Sequence, residues 1–148
     1  MDTTDGPDEQ HRRPAGVSDD TVAALGKLSE ALECVERARG YLYSLHQLIG
    51  HADLMLDDAV RMFRDAGHPG IADRIADELV GRNVIAGRWT FQIVEDFDDG
   101  YHAVFRDLDR SARDQLVGGR RHLYEAEMKE RRRTHGRSGH EARPVGEP

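Results

Sequence analysis

The chain has 148 residues and a formal net charge of -7, with charged side chains at 33% and aromatic ones at 6%. That length fits one domain with a single modest core, and the composition suits helices with charged outer faces and narrow buried seams. The negative balance excludes a surface wholly committed to nucleic acid or anionic lipid, because either contact needs positive potential.

Cys34 is the only cysteine, so no intrachain disulfide or multi-cysteine metal site can form. Among 21 basic residues only Lys27 and Lys129 are lysines, which fits a GC-rich genome. The first residues are acidic where a secretory signal is basic, and no apolar run approaches a membrane span. A cytoplasmic location without a membrane partner is expected.

Residues 1–16 and 134–148 combine prolines, glycines and charges with little apolar surface, and read as disordered tails around a helical domain at 17–133. Ser18 is a suitable N-cap, followed by Asp19 and Asp20, with Val17 and Val22 as a hydrophobic staple. From Leu25 to Phe63 apolar residues recur at steps of three or four, which predicts one helix over about 19–66, on the order of 70 Å long. A second apolar line, Tyr41, Leu45, Leu48, Ala52, Met55, Ala59 and Met62, widens the face of its second half, so that half should contact more than one neighbour.

Gly67 and Pro69 mark a stop and a restart, giving a short helix over about 70–80. Residues 82–88 are the connection, and Thr90 is placed to cap the next helix with Trp89 and Val94 as its staple; the alternation Trp89, Phe91, Ile93 also permits a strand. A third helix is expected over about 90–132, with Val94, Phe97, Tyr101, Val104, Leu108, Ala112, Leu116 and Leu123 as its seam and Gly118-Gly119 as its weakest point. Apart from the seven-residue periodicity no internal repeat is visible. The expected fold is all-α: a long antiparallel helical hairpin, coiled-coil-like, with a short connecting helix, dimerising into a four-helix bundle because its wide face would otherwise meet water.

Candidate chemistry is sparse. His46, His51, Asp53 and Asp57 would face Glu95, Asp98 and His102 if the chain folds back near residue 77, but the Glu-x-x-His pattern of helical metal sites is missing. Glu30, Glu33 and Glu36, with Glu95 and Asp98, have the spacing of magnesium-binding carboxylate pairs, yet the same fold-back puts the two sets tens of ångströms apart. Cys34 beside Val35 reads as a buried or half-buried thiol, since Glu33 and Glu36 supply no positive charge to activate it. No catalytic residue, metal ligand or cofactor is assigned.

Two surfaces remain. Arg82, Asn83, Arg88, Trp89 and Gln92 crowd the hairpin tip as a contact for a partner or ligand; in the simpler reading Trp89 pins the tip and the arginines cap carbonyls. Arg120, Arg121, Arg131, Arg132 and Arg133 form a basic end able to meet phosphates or an acidic partner, although glutamates interrupt it.

The stretch Gly81-Arg82-Asn83-Val84, followed by Gly87-Arg88-Trp89-Thr90-Phe91-Gln92-Ile93-Val94, resembles a segment of a family of small helical actinobacterial proteins with no assigned activity, over about residues 25–133. The resemblance implies a self-standing helical protein and carries over no functional residue. The functional expectation is a noncatalytic scaffold or adaptor working as a homodimer with a protein partner. The alternatives are a regulatory protein that meets nucleic acid through its basic end and a metal-dependent hydrolase.

Overall fold

Ser18 sets where the first helix begins. Its Oγ accepts the Thr21 N–H at 3.1 Å, and Asp19 and Asp20 put negative charge in the first turn, where the helix dipole favours it. Helix α1 (Asp19–Asp65) then runs unbroken through Gly26, Gly40 and Gly50. It closes where Gly67 takes a φ of 85°, with the His68 N–H on the Phe63 carbonyl at 2.8 Å and the Gly67 N–H on the Arg64 carbonyl at 3.1 Å. These two bonds satisfy carbonyls that the helix end would otherwise leave open.

The computed structural model describes residues 5–146, so the tail expectations for residues 1–4 and 147–148 lie outside the described part. The protein is mostly helical; among the described residues its β structure is one isolated bridge, Ile85 with Arg88. Helix α2 spans Pro69–Glu78, with the proline in its first turn where no N–H is needed. Helix α3 spans Thr90–Phe97, so the Trp89–Ile93 alternation forms no strand. Its cap differs from expectation: Thr90 is already helical and buried, its hydroxyl is held by His46 Nδ1 at 2.7 Å, and Gln92 instead accepts the Trp89 N–H at 2.8 Å.

The expected single helix over 90–132 is divided. A π-helical turn, Asp98–His102, follows α3 and leads into α4 (Ala103–Val117); α5 (Leu123–Arg132) begins after a break. Gly118 and Gly119 take φ values of 63° and 77° at that break, a region costly for residues with a Cβ.

The π turn overturns the seam read from the sequence. An α-helix continued from Val94 and Phe97 would point Tyr101, Val104 and Leu108 inward, but the extra residue of the π turn rotates everything after it by about 100°. Tyr101, Val104, Leu108 and Leu116 are therefore exposed, and the buried positions are His102, Asp109 and Val117.

Among the described residues the chain divides into two compact units: 5–34 together with 104–146, and Val35–Ala103. In the first, Val22, Val117 and Leu123 form a small core with Val17 and Leu25 packed against it. Gly26 lets α5 come close, since a Cβ built there would lie 3.1 Å from Tyr124 Cβ. Ser29 donates to the buried Asp109 at 2.9 Å. In the second unit, Ala72 and Val94 are the buried apolar residues among those described.

The ends of the chain also depart from the expected tails. Within the first unit Glu9–His11 form a 3-10 turn, Arg13 reaches Glu127 at 3.0 and 3.1 Å, Arg143 reaches the Gly6 carbonyl at 2.8 Å, and Arg133 pairs with Asp5 and Glu130. The segments are as poor in apolar surface as the sequence indicates; arginine forks on carboxylates and carbonyls attach them instead.

Candidate functional site

A polar cluster lies in the Val35–Ala103 unit, where α1 meets the π turn. His102 Nε2 donates to Glu36 Oε1 at 2.7 Å, and its ring stacks on Phe97 with centroids 5.9 Å apart. One helical turn further along α1, Arg39 donates Nε and Nη2 to the two oxygens of Asp98 at 2.7 and 3.1 Å. Tyr43 adds its hydroxyl to Asp98 at 3.3 Å, and the Arg39 guanidinium lies 5.1 Å from the Tyr43 ring centre. The forked bonds from Arg39 hold the Asp98 carboxyl below the usual carboxylate range, and the same bonds push the Arg39 guanidinium up.

Further along the same unit His46 meets Thr90 at 2.7 Å and Asp53 accepts the Gly81 N–H at 2.9 Å. The partners of Glu36, Arg39, His46 and Asp53 are His102, Asp98, Thr90 and Gly81, so the later chain retreats as α1 advances. The crossover lies nearer residue 68 than 77, which is why 98–102 face 36–39. Glu36 and Asp98 thus come within about one helical turn of each other, not tens of ångströms apart, but Arg39 and His102 stand on them as counter-groups. His51, Asp57 and Glu95 are exposed. Among the described residues no group of three or more His, Cys, Asp or Glu side chains is gathered to hold a metal ion.

This cluster ties α1 to the π turn, and its buried histidine and its aspartate are each engaged by a partner within the unit. Sequence reading weighed Asp98, His102 and Glu36 as ligands and passed over Arg39 and Tyr43. The signal that would have found them is the π turn, which recurs at functional positions in helices but has no sequence mark here.

The residues expected at the hairpin tip lie away from the crossover near residue 68, and they separate. Arg82 donates to the Glu78 carbonyl at 3.4 Å, the helix-capping role, while Arg88 pairs with Asp96 at 2.8 Å. Trp89 is half exposed and meets Phe91 edge to face at 6.2 Å, so it fills no core. Arg82 and Asn83 rim an open groove of about 360 Å³ floored by Ile49, Leu56, Leu79 and Val84. Arg88, Trp89 and Gln92 do not line it.

The basic end is also divided. Arg133 is buried between Asp5 and Glu130, so it cannot serve as a phosphate contact, and Arg120 is turned back onto the Arg12 carbonyl at 2.6 Å. Arg121, Arg131 and Arg132 are exposed. Cys34 is exposed as well, not the buried thiol expected, because it lies off the line of α1 that carries Leu32 and Val35. No helix among the described residues is long and apolar enough to cross a membrane. Comparison with known protein families, with curated proteins and with solved structures finds no match for this chain.

Proposed function

We propose that this chain is a noncatalytic helical scaffold or adaptor that acts through protein–protein contacts, as a cytoplasmic homodimer whose antiparallel helical hairpins close into a four-helix bundle. The observation that carries the reading is the imbalance in the Val35–Ala103 unit. Its buried apolar residues among those described are Ala72 and Val94, while Tyr41, Leu48, Leu54, Met55, Met62, Ile85 and others stand exposed. A chain alone in water rarely leaves so many large apolar side chains uncovered, and a unit with so small a closed core gains little from burial on its own.

The polar cluster supports the same reading. The Arg39–Asp98 pair and the His102–Glu36 bond tie α1 to the returning chain and fix which helix faces meet, a register-setting use of half-buried polar groups. An adaptor needs that fixed presentation more than it needs a reactive centre.

The test is light scattering on the full chain at micromolar concentration. A mass near twice 16.7 kDa is expected; a mass of one chain under those conditions overturns the proposal.

A further inference from the structure

We propose that the outer line of α1 from Tyr41 to Met62 is the surface on which a second copy of this chain docks, with the two α1 helices antiparallel. The inference rests on the self-association reading above and names its interface. Along this line Tyr41, Leu45, Leu48, Ala52, Met55, Ala59 and Met62 follow one another at steps of four and three without exception. That average of about 3.5 residues is the repeat of a coiled-coil seam, and the inward line of Arg39, His46 and Asp53, which meets the returning chain, keeps the same repeat. Its large residues are open, Tyr41 at 70% exposed, Leu48 66%, Met55 70% and Met62 65%, while Ala59 is half-buried and Ala52 borders the groove beside Leu79. The surface calls for a helix with the same repeat.

Residue size indicates that this helix is α1 of another copy. In heptad terms Tyr41, Leu48, Met55 and Met62 occupy one kind of seam position, and Leu45, Ala52 and Ala59 the other. In a parallel pair each kind meets itself, so the large residues crowd in one set of layers and the alanines leave gaps in the other. In an antiparallel pair each kind meets the opposite kind, so large residues sit across from Leu45, Ala52 and Ala59 and the layers fill evenly. Such a face is complementary to itself, as a two-fold interface requires.

The area is of the right size. With a large apolar side chain taken at about 200 Å², the exposed parts of Tyr41, Leu45, Leu48, Met55 and Met62 amount to on the order of 600 Å² per chain. A standard interface buries about 800 Å² per partner. The neighbouring exposed side chains Ser44, His51, Leu54 and Asp58 supply the rim.

The experiment compares the full chain with Leu48→Glu/Met55→Glu, and with Leu108→Glu as a control on an exposed apolar residue of α4. Mass is read by light scattering and helicity by circular dichroism. The seam variant should stay helical and dissociate, its Kd raised by on the order of 100-fold or more because four carboxylates would enter the interface; the control should remain dimeric. A dimeric parent whose seam variant is still dimeric overturns this interface and leaves self-association standing, whereas a monomeric parent overturns both. A seam variant that loses its helicity is replaced by the orientation test, which keeps the native surface. In a Cys34→Ser background, Leu45→Cys mixed with Met55→Cys or Met62→Cys should form mixed disulfides, while Leu45→Cys alone should not, its two copies lying about 15 Å or more apart along the axis. Efficient crosslinking of Leu45→Cys to itself, or none in either mixture, overturns the antiparallel arrangement.

Discussion

Replacing Gly26 by alanine should bring no gain in stability, although the same change at Gly40 or Gly50 should stabilise the protein. All three glycines lie inside α1, where alanine is favoured by about 1 kcal/mol. At Gly40 and Gly50 a new Cβ meets nothing within 4 Å, so the gain is kept, and the melting temperature rises by about 3 °C for a chain of this size. At Gly26 the Cβ would lie 3.1 Å from both Cβ and Cγ of Tyr124, where carbon atoms prefer about 3.5–4.0 Å. Tyr124 Cβ is fixed to the α5 backbone and cannot rotate away, so α5 must shift. Overpacking of that kind costs about 1–3 kcal/mol, leaving Gly26→Ala between neutral and about 2 kcal/mol less stable. Urea unfolding followed by circular dichroism, at one protein concentration because association shifts apparent stability, resolves the difference. If Gly26→Ala gains as much as Gly50→Ala, α5 does not sit against α1 at this point and the packing argument fails.

His102→Ala removes a buried ring, its stacking on Phe97 and its bond to Glu36, and should cost about 2–4 kcal/mol in the same urea assay; Tyr101→Ala should cost less, and the reverse order would mean that the π turn does not set the phase. Asp98 titrates below its ordinary 3.8 because Arg39 donates to both its oxygens. Its folded-state pKa is lower than its unfolded one, so its stabilisation is complete above about pH 4 and is lost as pH falls through the lowered value. Asp98→Asn should therefore lower stability at neutral pH and flatten the loss as pH falls below about 4; an unchanged acid limb in the unfolding curve would count against the pair. Asp53→Ala leaves the Gly81 N–H without its acceptor and should speed hydrogen exchange at that amide by about fivefold, the equivalent of about 1 kcal/mol; unchanged exchange would show that the bond does not hold the turn after α2.

Much of this fold is legible along the chain because it rests on interactions between near neighbours. Ser18 announces the start of α1, Gly67 and Pro69 its end, and Gly118-Gly119 the break before α5, each through a cap or a backbone angle set within a few residues. The outer line from Tyr41 to Met62 is equally visible, since a repeat needs no partner to be read. The candidate site was less legible: Glu36, Asp98 and His102 could be picked out as reactive types, but Arg39 and Tyr43, which engage Asp98, carry no local signal.

What only tertiary structure decided is phase and pairing. One extra residue in the π turn moves Tyr101, Val104 and Leu108 from the inside to the outside and brings His102 and Asp109 in, a rotation that an apolar pattern cannot disclose because both stripes fit a helix equally well. The arginines of the chain ends are alike in sequence, and only the fold buries Arg133 between Asp5 and Glu130 while leaving Arg131 and Arg132 in water. Capping and periodicity are fixed by bonds a few residues long; which face turns inward depends on groups that meet only after the chain has come back on itself.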